Sequence, residues 1–217
     1  MAKTDAGIFS PSYGAIGAIV TYVRNGKTIM YLKPRRHDPN TPMQQHVRVI
    51  FALLMALVVS FTPVLRCGMR NLRRKGQSTN NVAFRLNYDN GTIQGTGTSI
   101  TLDFTQFVIA AGSGVNVGNP AISQGTGHTV SFSWLDNTGL SPETLASDAV
   151  AVALVNAAHP ERTVAYDLGS TSRLDCSLII AYPPLWAGDQ AHAYIFTYSS
   201  DGKIVSDSQY VGTIVLA

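Results

Sequence analysis

Residues 41–66, TPMQQHVRVIFALLMALVVSFTPVLR, decide how the rest of the chain is read. Thr41 offers a side-chain oxygen as N-cap, Pro42 suits the first helical position, and Gln44 completes a capping box. From Val49 to Val59 every residue is apolar. A helix apolar on every side must be surrounded by something other than water. Val49, Ile50, Phe51, Leu53, Leu54, Leu57, Val58 and Phe61 are therefore candidate assembly-helix residues. Pro63 removes a backbone donor and disfavours helix for its predecessor, which predicts an end or kink near Phe61 and Thr62. Val49 to Leu65 is 17 residues, the low edge of a bilayer span, interrupted by Ser60, Thr62 and Pro63. Burial in the fold or between subunits is the better expectation than insertion in lipid. The first ten residues, MAKTDAGIFS, lack the apolar core of a signal peptide.

Charge divides the chain. Residues 1–76 carry twelve lysines and arginines against Asp5 and Asp38, a net +10, whereas residues 77–217 carry four against eleven acids, a net −7. Such asymmetry suggests a polyanion partner for the first part, or contact between unlike parts of neighbouring subunits. Only 13% of the 217 residues are charged and 45% are apolar, a thinly charged surface of the kind found on proteins packed against copies of themselves. Cys67 and Cys176 lie far apart in unlike contexts, so no disulfide framework is indicated and synthesis in a reducing bacterial cytoplasm is expected.

Gly14 to Val23 reads as a β-branched strand, residues 24–27 as an Asn-Gly turn and Thr28 to Leu32 as the return strand. Lys33, Arg35 and Arg36 form a basic linker that leads into the helix; Arg66, Arg70, Arg73, Arg74 and Lys75 form a second basic cluster after it. Read as helix, Arg66, Arg70, Arg73 and Arg74 share one face. Both clusters are candidate contacts for nucleic acid or an acidic partner, although neither interleaves the aromatics of a base-stacking surface.

Residues 77–105 read as a second hairpin, with Val82 to Tyr88 and Ile100 to Phe104 about an Asn90-Gly91 turn. Further strands are expected at 107–111, 129–135, 149–156, 163–168, 174–182, 191–198 and 208–216. About seven short strands at turn-separated intervals point to an immunoglobulin-like β-sandwich. Val130, Phe132 and Trp134 alternate with Ser131 and Ser133, and Trp134 is expected in the core. The predicted fold is thus mainly β: an N-terminal hairpin and one long apolar helix (1–76), a connecting hairpin (77–105) and the sandwich (106–217).

The segment Asn40, Thr41, Pro42, Gln44, Arg48, Phe51, preceded by the glycine-rich hairpin with Tyr22, Val23 and Arg24, resembles a domain-of-unknown-function family found widely in Bacteroides-group bacteria and their phages. Matching pieces follow at Ala83, Phe84 and Asn87, at Asp103 and Phe104 leading into Phe107 and Val108, at Phe132 to Trp134, at Asp148 to Val150, and at Asp207 and Ser208. The family's helix is more polar after Phe51 than the unbroken apolar run here, which favours burial between subunits. The resemblance implies an architecture and an association with phage genes, but no activity.

Chemistry is hard to find. His37, His46, His128, His159 and His192 have no metal-ligand spacing, and no nucleophile elbow, dinucleotide fingerprint or P-loop is complete. Asp136, Asp148, Asp167 and Asp175 are expected to be solvated near strand ends. No enzyme and no cofactor is expected. The leading expectation is a homo-oligomeric structural subunit of a phage virion or related particle or filament, with nucleic acid as a possible packaged partner. The alternatives are a sequence-nonspecific nucleic-acid-binding protein and a membrane-tethered sandwich with residues 49–65 inserted.

Overall fold

A computed structural model describes residues 3–4, 12–24, 26–34, 39–74, 76–162 and 164–217. The chain forms two compact units, Met1–Thr41 and Pro42–Ala217. The helix thus groups with the sandwich, where the sequence had suggested a division after residue 76.

The first unit is one antiparallel sheet in the order β1 (Lys3–Thr4), β2 (Ser12–Ile16), β3 (Ile19–Arg24), β4 (Lys27–Leu32). The strand expected over 14–23 is two strands, because Gly17 takes a positive φ of 57° and reverses the chain. The hairpin between β3 and β4 closes on Arg24 and Lys27 as the Asn-Gly signal predicted.

In the second unit a helix, α1 (Pro42–Ser60), is followed after a one-residue break by α2 (Thr62–Gly68). The break falls where Pro63 predicts it. Proline cannot donate to the Val59 carbonyl, and the Thr62 hydroxyl does so instead at 2.8 Å. Helix α3 (Thr79–Asp89) occupies the stretch read as a strand. Ser78 caps it by accepting from the Asn81 amide, and Thr79, Val82, Ala83 and Asn87 fall on one buried face at helical spacing. The Asn90-Gly91 pair serves as the exit from this helix. A short hairpin, β5 (Ile93–Thr96) and β6 (Ser99–Leu102), completes the layer.

The sandwich comprises a three-stranded sheet, β11 (Ser177–Ala181), β8 (Thr129–Leu135), β7 (Gly118–Gln124), and a four-stranded sheet, β10 (Val164–Ser172), β9 (Ala149–Asn156), β12 (Gln190–Tyr198), β13 (Gln209–Val215). This four-plus-three arrangement is the expected immunoglobulin-like layering. Strand β7 was not foreseen. The strand expected over 107–111 is irregular for a physical reason: the side chain of buried Asn87 takes the place of a neighbouring strand. Asn87 accepts from the Val108 amide at 2.7 Å and donates to its carbonyl at 2.9 Å.

The four-stranded sheet is buried on both faces. Val150, Val152 and Leu154 of β9 pack with Phe132, Trp134, Leu178 and Ile180 of the other sheet. Ala151, Ala153 and Val155 pack on the opposite side with the helices. From α1 the stripe Ile50, Leu54, Leu57, Val58 and Phe61 enters the core. Phe61 sits 5.1 Å from Phe107 and 5.9 Å edge-on from Tyr194, ring centre to ring centre, locking α1 to β12. The Ser60 hydroxyl donates to the Pro160 carbonyl and pins the end of α1.

At one end of the sandwich Arg173, 1% exposed, donates to Asp148 at 3.1 Å, to the carbonyls of Val115 and Asn116, and to Asn137 and Thr197. Asp148, expected to be solvated, is thus buried and ion-paired. The Trp134 indole donates to the Arg173 carbonyl, which places Trp134 in the core as anticipated.

Removing Asp148 (Asp148→Ala) leaves a buried guanidinium uncompensated and should cost about 3–5 kcal/mol in denaturant unfolding. Leu57→Ala should cost about 2–5 kcal/mol through its cavity. Leu185→Ala, at a position 93% exposed, should stay within about 0.5 kcal/mol of the native chain.

Candidate assembly surface

The eight assembly-helix residues divide into two sets. Ile50, Leu54, Leu57, Val58 and Phe61 are buried in their own chain and are corrected from intersubunit contacts to core residues. Val49 is half-buried. Phe51 (56%) and Leu53 are exposed, and so are Met43, Val47, Ala52 and Val59 (55%), which the sequence reading had not singled out. The cause is geometric: one helix lays one stripe on a sheet, and a helix apolar all round has more apolar surface than one sheet covers. Although α1 is long and apolar enough to cross a bilayer, its inward stripe is committed to the core.

Helix α3 extends the bare face. Phe51 lies 5.3 Å from Phe84, and Phe84 stacks on Tyr88 at 6.0 Å, with interplanar angles of 49° and 21°. The ladder runs along the α1–α3 contact, and Tyr88 and Arg85 are exposed beside it. Aromatics, Met and Arg are the residue types enriched at protein interfaces.

The N-terminal sheet bears apolar residues on both faces. Paired residues put Ile19, Leu32, Met30 and Val23 on one side, and Val20, Tyr31, Tyr22 and Ile29 on the other. All six residues of β4 are exposed. Leu32 reaches 73% and Met30 61%.

Among the described residues, the four arginines after α1 do not form one helical face. Arg35, Arg36 and Lys75 lie outside the described residues, as does His37. Lys33 is exposed. Arg66, Arg70, Arg73 and Arg74 share no helical face, because α2 ends at Gly68 and the chain continues through a 3-10 turn, Arg70–Leu72, into extended backbone at Arg73. The helix stops there because Gly68 lies against the Ile109 and Ala110 backbone, and its carbonyl accepts from the Ala111 amide. Arg70 donates to the Gly202 carbonyl and Arg73 to that of Gln77, so both have structural partners.

The chemistry-bearing side chains are scattered. His46 bonds the Gly97 carbonyl, His128 that of Ala217, His159 lies near Glu161, and His192 bonds the Tyr210 hydroxyl. Among the described residues no three His, Cys, Asp or Glu side chains converge to hold a metal. The cleft lined by Asp148 and Arg173 offers about 10 Å³ and is filled by its own ion pair. Burial raises the Cys67 thiol above its usual range, with Arg70 opposing. Asp136 and Asp175 are exposed, as expected, and hydrogen bonds from Thr138 and Ser172 hold their carboxyls low.

Residues 11–212 match a family of unknown function, DUF6266. The chain belongs to that family. No curated protein matches the sequence. The match spans both compact units, so the exposed sheet and the half-covered helix fall within one family segment.

One titrating group carries a pH prediction. His192 stacks on Phe104 at 4.3 Å; burial lowers its pKa and Asp103 opposes. A depressed histidine stabilises the fold above its unfolded value, and that stability is lost as pH falls through about 6.5 and below. The melting temperature should therefore drop from pH 7 to pH 5, and a His192→Gln chain should drop less; equal slopes would remove His192 as the cause.

Proposed function

We propose that this protein is a non-enzymatic structural subunit of a self-assembling particle, a phage virion component or a related filament, made in the bacterial cytoplasm and working as a homo-oligomer. The carrying observation is the bare apolar face of α1, with Phe51, Leu53 and Val59 exposed on a helix whose other side is already core. The two-faced N-terminal sheet adds to it. The virion setting rests on the family resemblance alone.

Magnitudes indicate how much surface assembly must use. Burying a large apolar side chain fully contributes about 1.5–3 kcal/mol. Phe51 and Val59, eight residues apart on one side of α1, are 56% and 55% exposed, so covering them supplies on the order of 1.5–3 kcal/mol per copy. Association costs roughly 4–15 kcal/mol. The helix face by itself gives a weak contact at best, and a stable particle needs the N-terminal sheet as well.

The nucleic-acid reading keeps one supporting observation, the exposed side chains of Lys33, Arg66 and Arg74. In a particle these are available to a packaged genome or to an acidic neighbour.

Light scattering on the native chain should give a mass well above one protomer that rises with concentration. Ala52→Asp combined with Val59→Asp, both at exposed positions, should lower that mass while leaving the circular dichroism spectrum of the fold unchanged. A native chain that stays monomeric would overturn the proposal. In the same preparation, single-stranded DNA binding that weakens steeply with salt would add the genome contact, whereas no binding at low salt would remove it.

A further inference from the structure

We infer that β4 is a strand-addition edge whose occupant is β4 of a second copy, joined antiparallel about a two-fold axis through Ile29. The inference rests on the assembly reading above and names the contact within it.

The edge is open and unprotected. The sheet order leaves β4 with a neighbour on one side only, and the opposite edge, β1, is two residues long. Natural edges are blunted by charges, proline, bulges or shortness. In β4 the register against β3 is unbroken over six pairs, and Thr28 to Leu32 contains neither charge nor proline.

The direction of the backbone groups follows from two observations. Arg24 and Lys27 close a two-residue hairpin, and the Lys33 amide donates to the Ala18 carbonyl. Odd-numbered residues of β4 therefore point their amides and carbonyls toward β3, and Thr28, Met30 and Leu32 point theirs outward. Among the described residues those outward groups have no strand beside them.

Side-chain chemistry selects the register. A two-fold axis perpendicular to the sheet pairs residues of equal parity, so each face continues across the join. Centring on Met30 would set Lys27 against Lys33 of the second copy, like charge on like charge. Centring on Tyr31 would set the outward groups of Thr28 against Pro34, which has no amide to donate. Centring on Thr28 leaves Tyr31 and Leu32 beyond the partner strand. Centring on Ile29 places Thr28 and Met30 in mutual hydrogen bonding. It also sets Lys27 against the ring of Tyr31 on both sides of the axis, a cation–π pairing.

Cysteine cross-linking reads this register. Ile29 would face its own symmetry mate in a non-hydrogen-bonded pair, about 4.5 Å between Cα atoms, inside the disulfide window. Met30 would be displaced from its mate beyond disulfide reach. On mild oxidation the Ile29→Cys chain should give a linked dimer, whereas Met30→Cys and the native chain, with Cys67 buried and Cys176 half-buried, should not. Met30→Pro deletes only an outward donor, which an edge strand tolerates, and should lose assembled mass by light scattering. A link at Met30→Cys in place of Ile29→Cys, or at neither while Met30→Pro assembles like the native chain, would overturn the pairing and leave the assembly reading standing. A monomeric native chain would overturn both.

Discussion

The fold depends on a sheet that cannot tolerate water on either side. Strands β9 and β12 carry apolar residues at consecutive positions, so both faces of the four-stranded sheet require a cover. One cover is the three-stranded sheet, which supplies Phe132, Trp134 and Ile180. The other is the helical layer, anchored by the Phe61, Phe107 and Tyr194 rings. Each cover also disposes of its own polar groups. Asn87 satisfies the backbone of Val108, and Arg173 with Asp148 ties three loops and strand β12 at one end of the sandwich.

The helical cover creates the functional problem. A soluble protein covering a sheet with one helix ordinarily makes the outward face polar. Here the outward side carries Phe51, Ala52, Leu53 and Val59, with Arg48 the exposed charge among them. The sandwich's own stability does not require that choice, since polar residues there would leave the inward stripe untouched. An apolar outward face therefore calls for a second cover from outside the protomer. The N-terminal sheet poses the same demand more sharply, with exposed apolar residues on both of its faces.

Much of this was legible in the sequence because it is local. The helix start at Pro42, its break before Pro63, the Asn-Gly hairpin and strands β8, β9 and β12 follow from spacing and turn chemistry. The misread elements were settled by distant partners. Residues 82–88 form a helix because Val82, Ala83 and Asn87 have a core to face. Residues 107–111 stay irregular because an amide side chain replaces a strand. Arg173 was not singled out, since nothing around it in sequence announces a carboxylate 25 residues earlier. For the candidate surface, the apolar run was visible but its division was not. Phe51 and Leu54 look alike in the sequence, and only the position of β12 makes one core and the other surface. The unbroken AVAVALV of β9 did hold a usable signal, because a strand without polar alternation must be covered twice.

The central claim is that the outward face of α1 is covered by another copy. Thiol labelling at Val59→Cys, resolved by mass spectrometry from Cys67 and Cys176, tests it most directly across a dilution series. The account predicts fast labelling in dilute solution and marked protection at assembly concentrations, with Leu57→Cys protected throughout. A Val59→Cys rate that is fast and independent of concentration would contradict it.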